Sequence, residues 1–196
     1  TRLKNGYLKF RWDGGAFLHS GQTTQFCLGA AGESDFDILK RLDWEYKEID
    51  LRRGYFSAFS PIEGTPLERL KATPLDREHR LYQTDWLLRI YQYPLKVVKD
   101  ILTDHGDLPS GDPKVHLARK KFEEDGPIDI NKADYRQLLQ VPGLGPLSAK
   151  RIIALRKEQK PIESRMQLKK IGVALTRADP FITLNGHHQT SMDCFF

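Results

Sequence analysis

The part of the sequence that most constrains the fold is residues 141–153, Val-Pro-Gly-Leu-Gly-Pro-Leu-Ser-Ala-Lys-Arg-Ile-Ile. Pro142 ends a preceding helix because it has no N–H and its ring collides with the turn before it. Gly143 and Gly145 allow positive φ angles and let another molecule approach the backbone closely. Pro146 suits the first position of a new helix, where an N–H would lack a partner. These residues predict two helices joined by a glycine hairpin.

The second of these helices begins with main-chain amides that have no acceptor inside the helix. The amides of Gly145, Leu147 and Ser148 form a partly positive end that suits a phosphate group. Lys150 and Arg151 follow one turn later, within reach of neighbouring phosphates. The candidate phosphate-contacting residues are therefore Gly143, Leu144, Gly145, Leu147, Ser148, Lys150 and Arg151. A tight turn whose glycines serve packing alone is the alternative interpretation.

A weaker copy of the hairpin occurs at residues 170–178, with Gly172 in the position of Gly143. Ala174 replaces the second glycine, so we expect this loop to approach a phosphate less closely. The candidate backbone contacts of this copy are Lys169, Lys170, Gly172 and Arg177. The repetition predicts a compact tandem unit rather than one accidental turn.

The pattern Pro-Gly-apolar-Gly, followed by Ala149 and a pair of isoleucines, resembles the hairpin of the helix-hairpin-helix family. That resemblance implies binding to the DNA backbone without reading the sequence, because phosphate contacts position a duplex but do not specify bases. Residues 127–196 contain eleven Lys and Arg against six Asp and Glu, whereas residues 1–126 contain twenty of each. The whole net charge of +5 thus accompanies the hairpins and favours a polyanion.

In the first third of the chain, the residue pattern predicts a strand, a helix and a second strand. Residues 23–28 are apolar and β-branched, a helix continues to about residue 49, and residues 55–59 form the second strand. A helical crossover of this kind makes the two strands parallel. Because a parallel sheet needs cover on both faces, residues 1–70 are interpreted as a slice of a larger α/β barrel.

Two segments around these strands, Gly-Ala-Ala-Gly-Glu-Ser-Asp and Tyr-Phe-Ser-Ala-Phe-Ser-Pro-Ile-Glu-Gly-Thr-Pro-Leu, resemble the second half of a radical S-adenosylmethionine (radical SAM) barrel. With the hairpins, residues 17–184 resemble the C-terminal part of the radical SAM proteins of DNA modification and repair. The resemblance implies S-adenosylmethionine and a 4Fe-4S cluster in the complete family member, with Gly29 and Glu33 beside the adenosyl group. For these two residues, a structural strand-to-helix turn is the alternative.

Cysteine content limits the chemistry that this chain supports. Cys27 and Cys194 are the two cysteines, whereas the family's cluster motif uses three at close spacing. We therefore expect no cofactor to bind stably to this chain alone, and we leave its catalytic residues unassigned and its enzymatic activity undecided. His187, His188 and Cys194 are interpreted as a frayed end rather than a metal site. Two distant cysteines indicate a reducing, cytoplasmic setting, and no apolar run is long enough to span a membrane.

The predicted architecture is α/β plus all-α: a partial radical-SAM-type barrel (βαβ slice), a helical connector and a C-terminal tandem helix-hairpin-helix domain. The boundaries are residues 1–70 for the barrel slice, 71–126 for the connector, 127–184 for the hairpin domain and 185–196 for a flexible tail. Residues 103–113 are interpreted as a solvated linker, and Asn131 as the N-cap of the first hairpin helix. The predicted function is non-sequence-specific DNA binding. The alternative is a protein-interaction module that docks a partner such as a DNA-repair glycosylase.

Overall fold

The computed structural model describes residues 21–186 and the backbone of four short strands ahead of them. β1 (Arg2–Lys4) pairs antiparallel with β2 (Tyr7–Lys9), and β3 (Arg11–Trp12) pairs antiparallel with β4 (Gly15–Ala16). The chain forms two compact units, unit 1 over residues 1–110 and unit 2 over residues 111–196. The candidate metal ligands of the tail, His187, His188 and Cys194, lie outside the described residues. Within the described part, no helix is both long and apolar enough to cross a membrane.

Unit 1 is built on the strand–helix–strand pattern predicted from the sequence. β5 (Thr23–Leu28) and β6 (Arg53–Ala58) are parallel neighbours, and α1 (Asp35–Glu48) connects them. α1 begins with a capping box, because the Ser34 side chain and the Asp37 carboxylate each accept a hydrogen bond from the other's amide. The unit also contains α2 (Leu75–Arg89) and α3 (Leu95–Lys99). Its core consists of Leu28, Ile38, Leu39, Leu42, Leu51, Phe56, Leu81, Leu88, Val98 and Leu108.

The sheet formed by β5 and β6 has one covered face, one exposed face and one closed edge. Along β5, Thr23, Gln25 and Cys27 are exposed, whereas Leu28 is buried. The outer edge of β6 is closed by side chains from the helices instead of by another strand. The amides of Gly54, Phe56 and Ala58 donate to the Tyr46 hydroxyl, the Tyr82 hydroxyl and the Glu78 carboxylate, at 3.1, 3.0 and 2.8 Å. Because these donors are satisfied, the sheet ends at β6.

Residues 103–108 pack on the start of α1, so the predicted solvated linker is wrong for this part of the chain. The Asp35 carboxylate is fully buried and accepts hydrogen bonds from the Leu108 amide (2.9 Å) and the Arg77 guanidinium (2.7 Å). The Phe36 amide donates to the Gly106 carbonyl at 2.9 Å. A buried carboxylate requires such partners, and these lie 73 and 42 residues from Asp35 along the chain, beyond the range of a local pattern.

Unit 2 is mainly helical and contains the two predicted hairpins. Its helices are α4 (Pro113–Asp125), α5 (Tyr135–Gln140), α6 (Pro146–Lys157), α7 (Arg165–Lys170) and α8 (Leu175–Ala178). A 3-10 turn (Asp179–Phe181) comes after α8. β7 (Ile128–Asp129) and β8 (Ile182–Thr183) form a short parallel pair that joins the two ends of the repeat region. The largest fully buried side chains are Ile130, Leu138, Leu144, Ile152, Ile162, Leu168 and Ile182.

The prediction that Asn131 is the N-cap of α5 is wrong. Asp134 takes that position and forms a capping box with Gln137. The Asn131 side-chain amide instead donates to the Ile162 carbonyl and accepts from the Ile162 amide, both at 2.8 Å. This pair of hydrogen bonds ties the start of the first repeat to the start of the second. The two-sided amide of asparagine suits that bridging role because it carries both a donor and an acceptor.

The compact units divide the chain differently from the sequence-based boundaries. α2 and α3 belong to unit 1 with the strands, whereas α4 belongs to unit 2 with the hairpins. α4 buries Leu117 and Phe122, and the Phe122 ring lies 5.5 Å from the Phe181 ring at the far end of the repeats. The mixed α/β character of the chain is confirmed by these elements.

Candidate nucleic-acid interface

Hairpin one, residues 141–145, connects α5 to α6. Gly143 has a φ of +80°, in the left-handed region that favours glycine. Gly145 is extended, with φ −111° and ψ 174°, so of the two glycines that allow a positive φ only Gly143 uses it. Gly145 is the N-cap of α6, and N-cap residues normally have extended backbones because the chain enters the helix there. Leu144, between the two glycines, is buried.

Three consecutive carbonyls of hairpin one have hydrogen-bond partners within unit 2. The Gly143 carbonyl accepts from the Ala174 amide at 3.0 Å. The Leu144 carbonyl accepts from the Lys114 ammonium at 2.7 Å. The Gly145 carbonyl accepts from the Ala149 amide at 2.9 Å, as in a regular first turn of a helix. Together these hydrogen bonds hold successive peptide groups of the hairpin in one orientation.

The start of α6 has main-chain donors available for a ligand. Among the residues that the structure describes, no side chain caps this helix, and Pro146 at its first position has no N–H. The amides of Leu147 and Ser148 therefore have no capping acceptor. Because α6 runs for 12 residues, its dipole adds about half a positive charge at this end. Leu147 is 60% exposed, whereas Ser148 is 6% exposed, so solvent reaches this turn at Leu147.

Gly143 serves the packing of one hairpin against the other. A Cβ atom on this residue would lie 2.5 Å from the Ala174 carbonyl oxygen and 3.2 Å from the Arg177 Cβ. A backbone oxygen and a Cβ cannot swing away as a flexible side-chain end would. The close approach therefore requires glycine, which supports the packing interpretation for Gly143 and leaves Gly145 as the glycine that faces the start of α6.

Hairpin two, residues 171–174, connects α7 to α8 and packs against hairpin one. Gly172 has a φ of +93°, like its counterpart in hairpin one. The buried Ser148 hydroxyl, in the first turn of α6, donates to the Gly172 carbonyl at 3.0 Å, and the Ala174 amide donates to the Gly143 carbonyl, so the two repeats exchange hydrogen bonds in both directions. The helix after hairpin two has four residues, too few to build a strong dipole.

The predicted cationic contacts fall into two groups. Lys150, Lys169 and Lys170 are exposed on α6 and α7. Arg151 donates to the Ile171 carbonyl at 3.1 Å, and Arg177 forms an ion pair with Asp112. The two arginines therefore already hold hydrogen-bonding partners within unit 2. The three lysines are the better candidates for contact with an external polyanion.

Lys114 is a candidate residue that the sequence analysis missed. It lies in the first turn of α4 and is only 7% exposed, with its ammonium on the Leu144 carbonyl of hairpin one. Burial lowers the pKa of Lys114 to about 7, the Asp112 carboxylate opposes that shift, and the Arg177 guanidinium adds to it. The local sequence Asp-Pro-Lys predicts a helix start and carries no signal that the lysine is buried, because its partner is 30 residues away.

Gly29 and Glu33 lie in unit 1, in the turn between β5 and α1. The Glu33 carboxylate accepts hydrogen bonds from the amides of Gly29 (2.5 Å) and Ala31 (3.2 Å). Burial by itself would raise the pKa of Glu33, but these amides and Arg77 hold it below its ordinary value. The carboxylate thus closes its own turn, which supports the structural alternative for these residues. In the described part of the chain, no three His, Cys, Asp or Glu side chains are grouped as a metal site.

Unit 2 thus contains two helix pairs that are joined by glycine turns and packed through their hairpins, which is the arrangement of a helix-hairpin-helix motif. The sequence matches the helix-hairpin-helix motif over residues 123–173, which include hairpin one and the helices on both sides of it. Motifs of this kind commonly bind nucleic acid. Comparisons with curated proteins and with solved structures returned no match.

Proposed function

We propose that unit 2 binds the DNA backbone through hairpin one, without selecting a sequence. The observation that carries this proposal is the uncapped start of α6, where the amides of Leu147 and Ser148 come after the extended Gly145. These donors and the helix dipole match the charge and the hydrogen-bonding needs of a phosphate oxygen. Phosphates are the same along every sequence, so contacts of this type position a duplex without specifying its bases.

Exposed lysines around the hairpins provide the longer-range attraction. Lys150 lies two residues after Ser148 on α6, and Lys169 and Lys170 end α7 just before hairpin two. Unit 2 carries the entire +5 net charge of the chain, since residues 1–110 contain sixteen Lys and Arg and sixteen Asp and Glu. Each lysine that neutralises a phosphate releases counterions, so binding is expected to weaken steeply as salt is added.

The test is an anisotropy titration of the full chain with fluorescent duplexes of two unrelated sequences at several salt concentrations. Three lysine contacts predict a slope of about −2.7 for log K against log salt, equal for both sequences. Leu147→Asp places a carboxylate among the α6 donors, where it repels a phosphate while interacting favourably with the helix dipole. We expect this variant to stay folded and to lose at least about ten-fold in affinity, since two charged hydrogen bonds are affected.

The matched control is Thr176→Asp, which adds the same charge at the corresponding position of hairpin two. Thr176 is exposed and lies in the first turn of the four-residue α8. We expect a smaller loss there, because the shorter helix offers a weaker anion site. Equal losses for the two variants would show only that negative charge repels DNA. A parent chain without salt-dependent binding would contradict the proposed function.

Docking of a partner protein is a second candidate function, favoured by exposed apolar side chains on unit 1. Ile62 is 68% exposed, Leu75 is 65% exposed and Trp86 is 47% exposed. In the described part of unit 1, Tyr55, Leu67 and Leu70 are exposed as well. Single exposed apolar residues are ordinary, but six large ones on a unit of this size favour a contact surface. A DNA-repair glycosylase as the partner rests on the family resemblance alone. Duplex binding that is absent or independent of salt would leave docking as the better interpretation.

A radical SAM parent, with its S-adenosylmethionine and 4Fe-4S cluster, also rests on the resemblance. The parallel β5–α1–β6 unit supports a barrel slice, but side chains close the outer edge of β6, where a barrel would continue with another strand. Two features do not fit the cofactors. The sequence has two cysteines against the three of a cluster motif, and the Glu33 carboxylate is occupied by the amides of its own turn. We therefore derive no reaction for this chain.

A cytoplasmic location is a further proposal, and it is drawn from the cysteine content.

A further inference from the structure

Lys114 places a charged group where charge is costly to bury. Its side chain is 7% exposed and belongs to α4, outside both hairpins. An ammonium in such surroundings costs free energy unless it has good partners. Its ammonium donates to the Leu144 carbonyl at 2.7 Å, in the middle of hairpin one. An apolar residue would fill the same space more cheaply, so the contact with the hairpin calls for a functional reason.

The geometry of the peptide group gives a functional reason for the contact between Lys114 and hairpin one. The Leu144 carbonyl and the Gly145 N–H belong to the same planar trans peptide, in which C=O and N–H point in opposite directions. By holding the carbonyl on the α4 side, the Lys114 ammonium turns the Gly145 N–H away from that side. The carbonyls of Gly143 and Gly145 belong to the neighbouring peptide groups and accept from the Ala174 and Ala149 amides, whereas the Leu144 carbonyl accepts from Lys114.

We propose that Lys114 is a positioning residue of the phosphate site, which orients the Gly145 amide by holding the Leu144 carbonyl. The proposal rests on the DNA-binding function proposed above. It adds a residue from outside the hairpins to the site, and it makes the site responsive to the charge state of that residue. Lys114 itself does not contact the phosphate in this arrangement.

The charged groups around Lys114 determine how the site responds to pH. Asp112 faces it from the start of α4, Arg177 faces it from α8, and hairpin one presents the Leu144 carbonyl. Burial brings the pKa of Lys114 to about 7, so its ammonium loses its proton within the neutral range. A neutral amine makes a weaker hydrogen bond and adds no positive charge behind the hairpin. DNA affinity is therefore expected to fall as the pH rises through about 7.

The experiment compares the full-length parent with Lys114→Met and Lys114→Arg at constant salt between pH 6 and pH 9. A fluorescent duplex reports affinity, and the NMR resonance of the Gly145 amide reports its surroundings without DNA. We expect the parent to lose about ten-fold in affinity across this range, as for the loss of one charged hydrogen bond. Lys114→Met should bind weakly at every pH. Lys114→Arg should bind at every pH as the parent does at pH 6, because arginine keeps its charge.

Lys157→Met is the matched control, since it removes one exposed positive charge at the far end of α6. It should retain the pH dependence of binding and the Gly145 resonance of the parent. If Lys114→Met binds as Lys157→Met does, with the parent's pH profile, the positioning role is overturned while the DNA-binding function stands. If the parent shows no salt-dependent binding, the proposed function fails. The Gly145 resonance then decides the role of Lys114: a transition near pH 7 that Lys114→Met abolishes supports it, and an unchanged resonance overturns it.

Discussion

The two hairpins of unit 2 share a local plan and differ in the segments that they lead into. In each, the preceding helix starts with a capping box, Asp134 with Gln137 or Ser164 with Gln167, and a glycine with positive φ makes the turn. Hairpin one then continues through a second glycine into a helix of 12 residues. Hairpin two has Ala174 in that place and a helix of four residues. Only hairpin one therefore combines open amides with a substantial helix dipole.

Two copies of a repeat can therefore share a shape and still have separate roles. The Ala174 amide donates to the Gly143 carbonyl, and the Ser148 hydroxyl donates to the Gly172 carbonyl. Each hairpin thus satisfies polar groups that the other would leave unpaired, and an unpaired buried group is costly. Hairpin two supports the geometry of hairpin one, and hairpin one has the features of the binding site.

We expect the largest effect on stability from substitution of the turn glycines, and it should be larger at Gly143 than at Gly172. Gly143→Ala combines an unfavourable positive φ with a Cβ 2.5 Å from the Ala174 carbonyl oxygen, so it should lower the free energy of unfolding of unit 2 by about 3–5 kcal/mol. Gly172→Ala meets its nearest atom, the Ser148 Oγ, at 3.4 Å and should cost only the backbone strain, about 1–3 kcal/mol. Amide hydrogen exchange in α6 measures the loss of unfolding free energy in both variants. Equal losses would mean that the hairpins do not depend on each other's close approach.

The next effect concerns pH and Lys114, whose ammonium donates to the Leu144 carbonyl of hairpin one. Lys114 has a pKa of about 7 in the folded chain against an ordinary value of 10.5, so the unfolded chain binds more protons between these values. The free energy of unfolding should therefore rise with pH in this window, by up to about 2.7 kcal/mol from pH 7 to pH 9. Urea unfolding of the parent and of Lys114→Met measures it. The variant should lack the part of this rise in unfolding free energy that is due to Lys114. If the unfolding free energies of the parent and the variant change with pH in parallel, the prediction is contradicted.

A smaller effect distinguishes two lysines of α6. Lys150 lies near the start of the helix and Lys157 is its last residue, about 10 Å further along the axis. Lys150→Ala should lower the magnitude of the salt slope of DNA binding by about one and weaken all duplexes alike. Lys157→Ala should leave the slope unchanged. If the two variants behave identically, the phosphate does not bind at the start of α6.

The smallest effect is expected at Arg177, which the sequence analysis assigned to DNA binding. Its guanidinium is paired with Asp112, and both side chains are partly exposed. Arg177→Ala should lower the free energy of unfolding by at most about 1 kcal/mol and leave the salt slope unchanged. Asp112→Asn is the companion variant, since asparagine still caps α4. A salt slope reduced by about one in Arg177→Ala would restore Arg177 to the phosphate contacts.

Elements with strong local signals could be predicted from the sequence. Strand β5 and helix α1 match the predicted ranges, because the apolar and β-branched residues of the strand and the Ser34 cap of the helix are signals that act within a few residues. The N-cap at Asn131 was mispredicted for an equally physical reason. Asn and Asp both suit such a position, and the choice of Asp134 depends on the Ile162 backbone, which engages the Asn131 side chain from 31 residues away.

The turn of hairpin one follows from local residue types, since Pro142 and Pro146 restrict their own backbone angles and Gly143 allows the positive φ of the turn. The sequence by itself also determined where the positive charge lies, because charge depends on composition. Tertiary structure alone decided the division of labour between the glycines, the partners of Arg151 and Arg177, and the burial of Lys114. Each of these depends on which distant segment packs nearby, and the free energy of burying a polar or charged group depends on its neighbours in space.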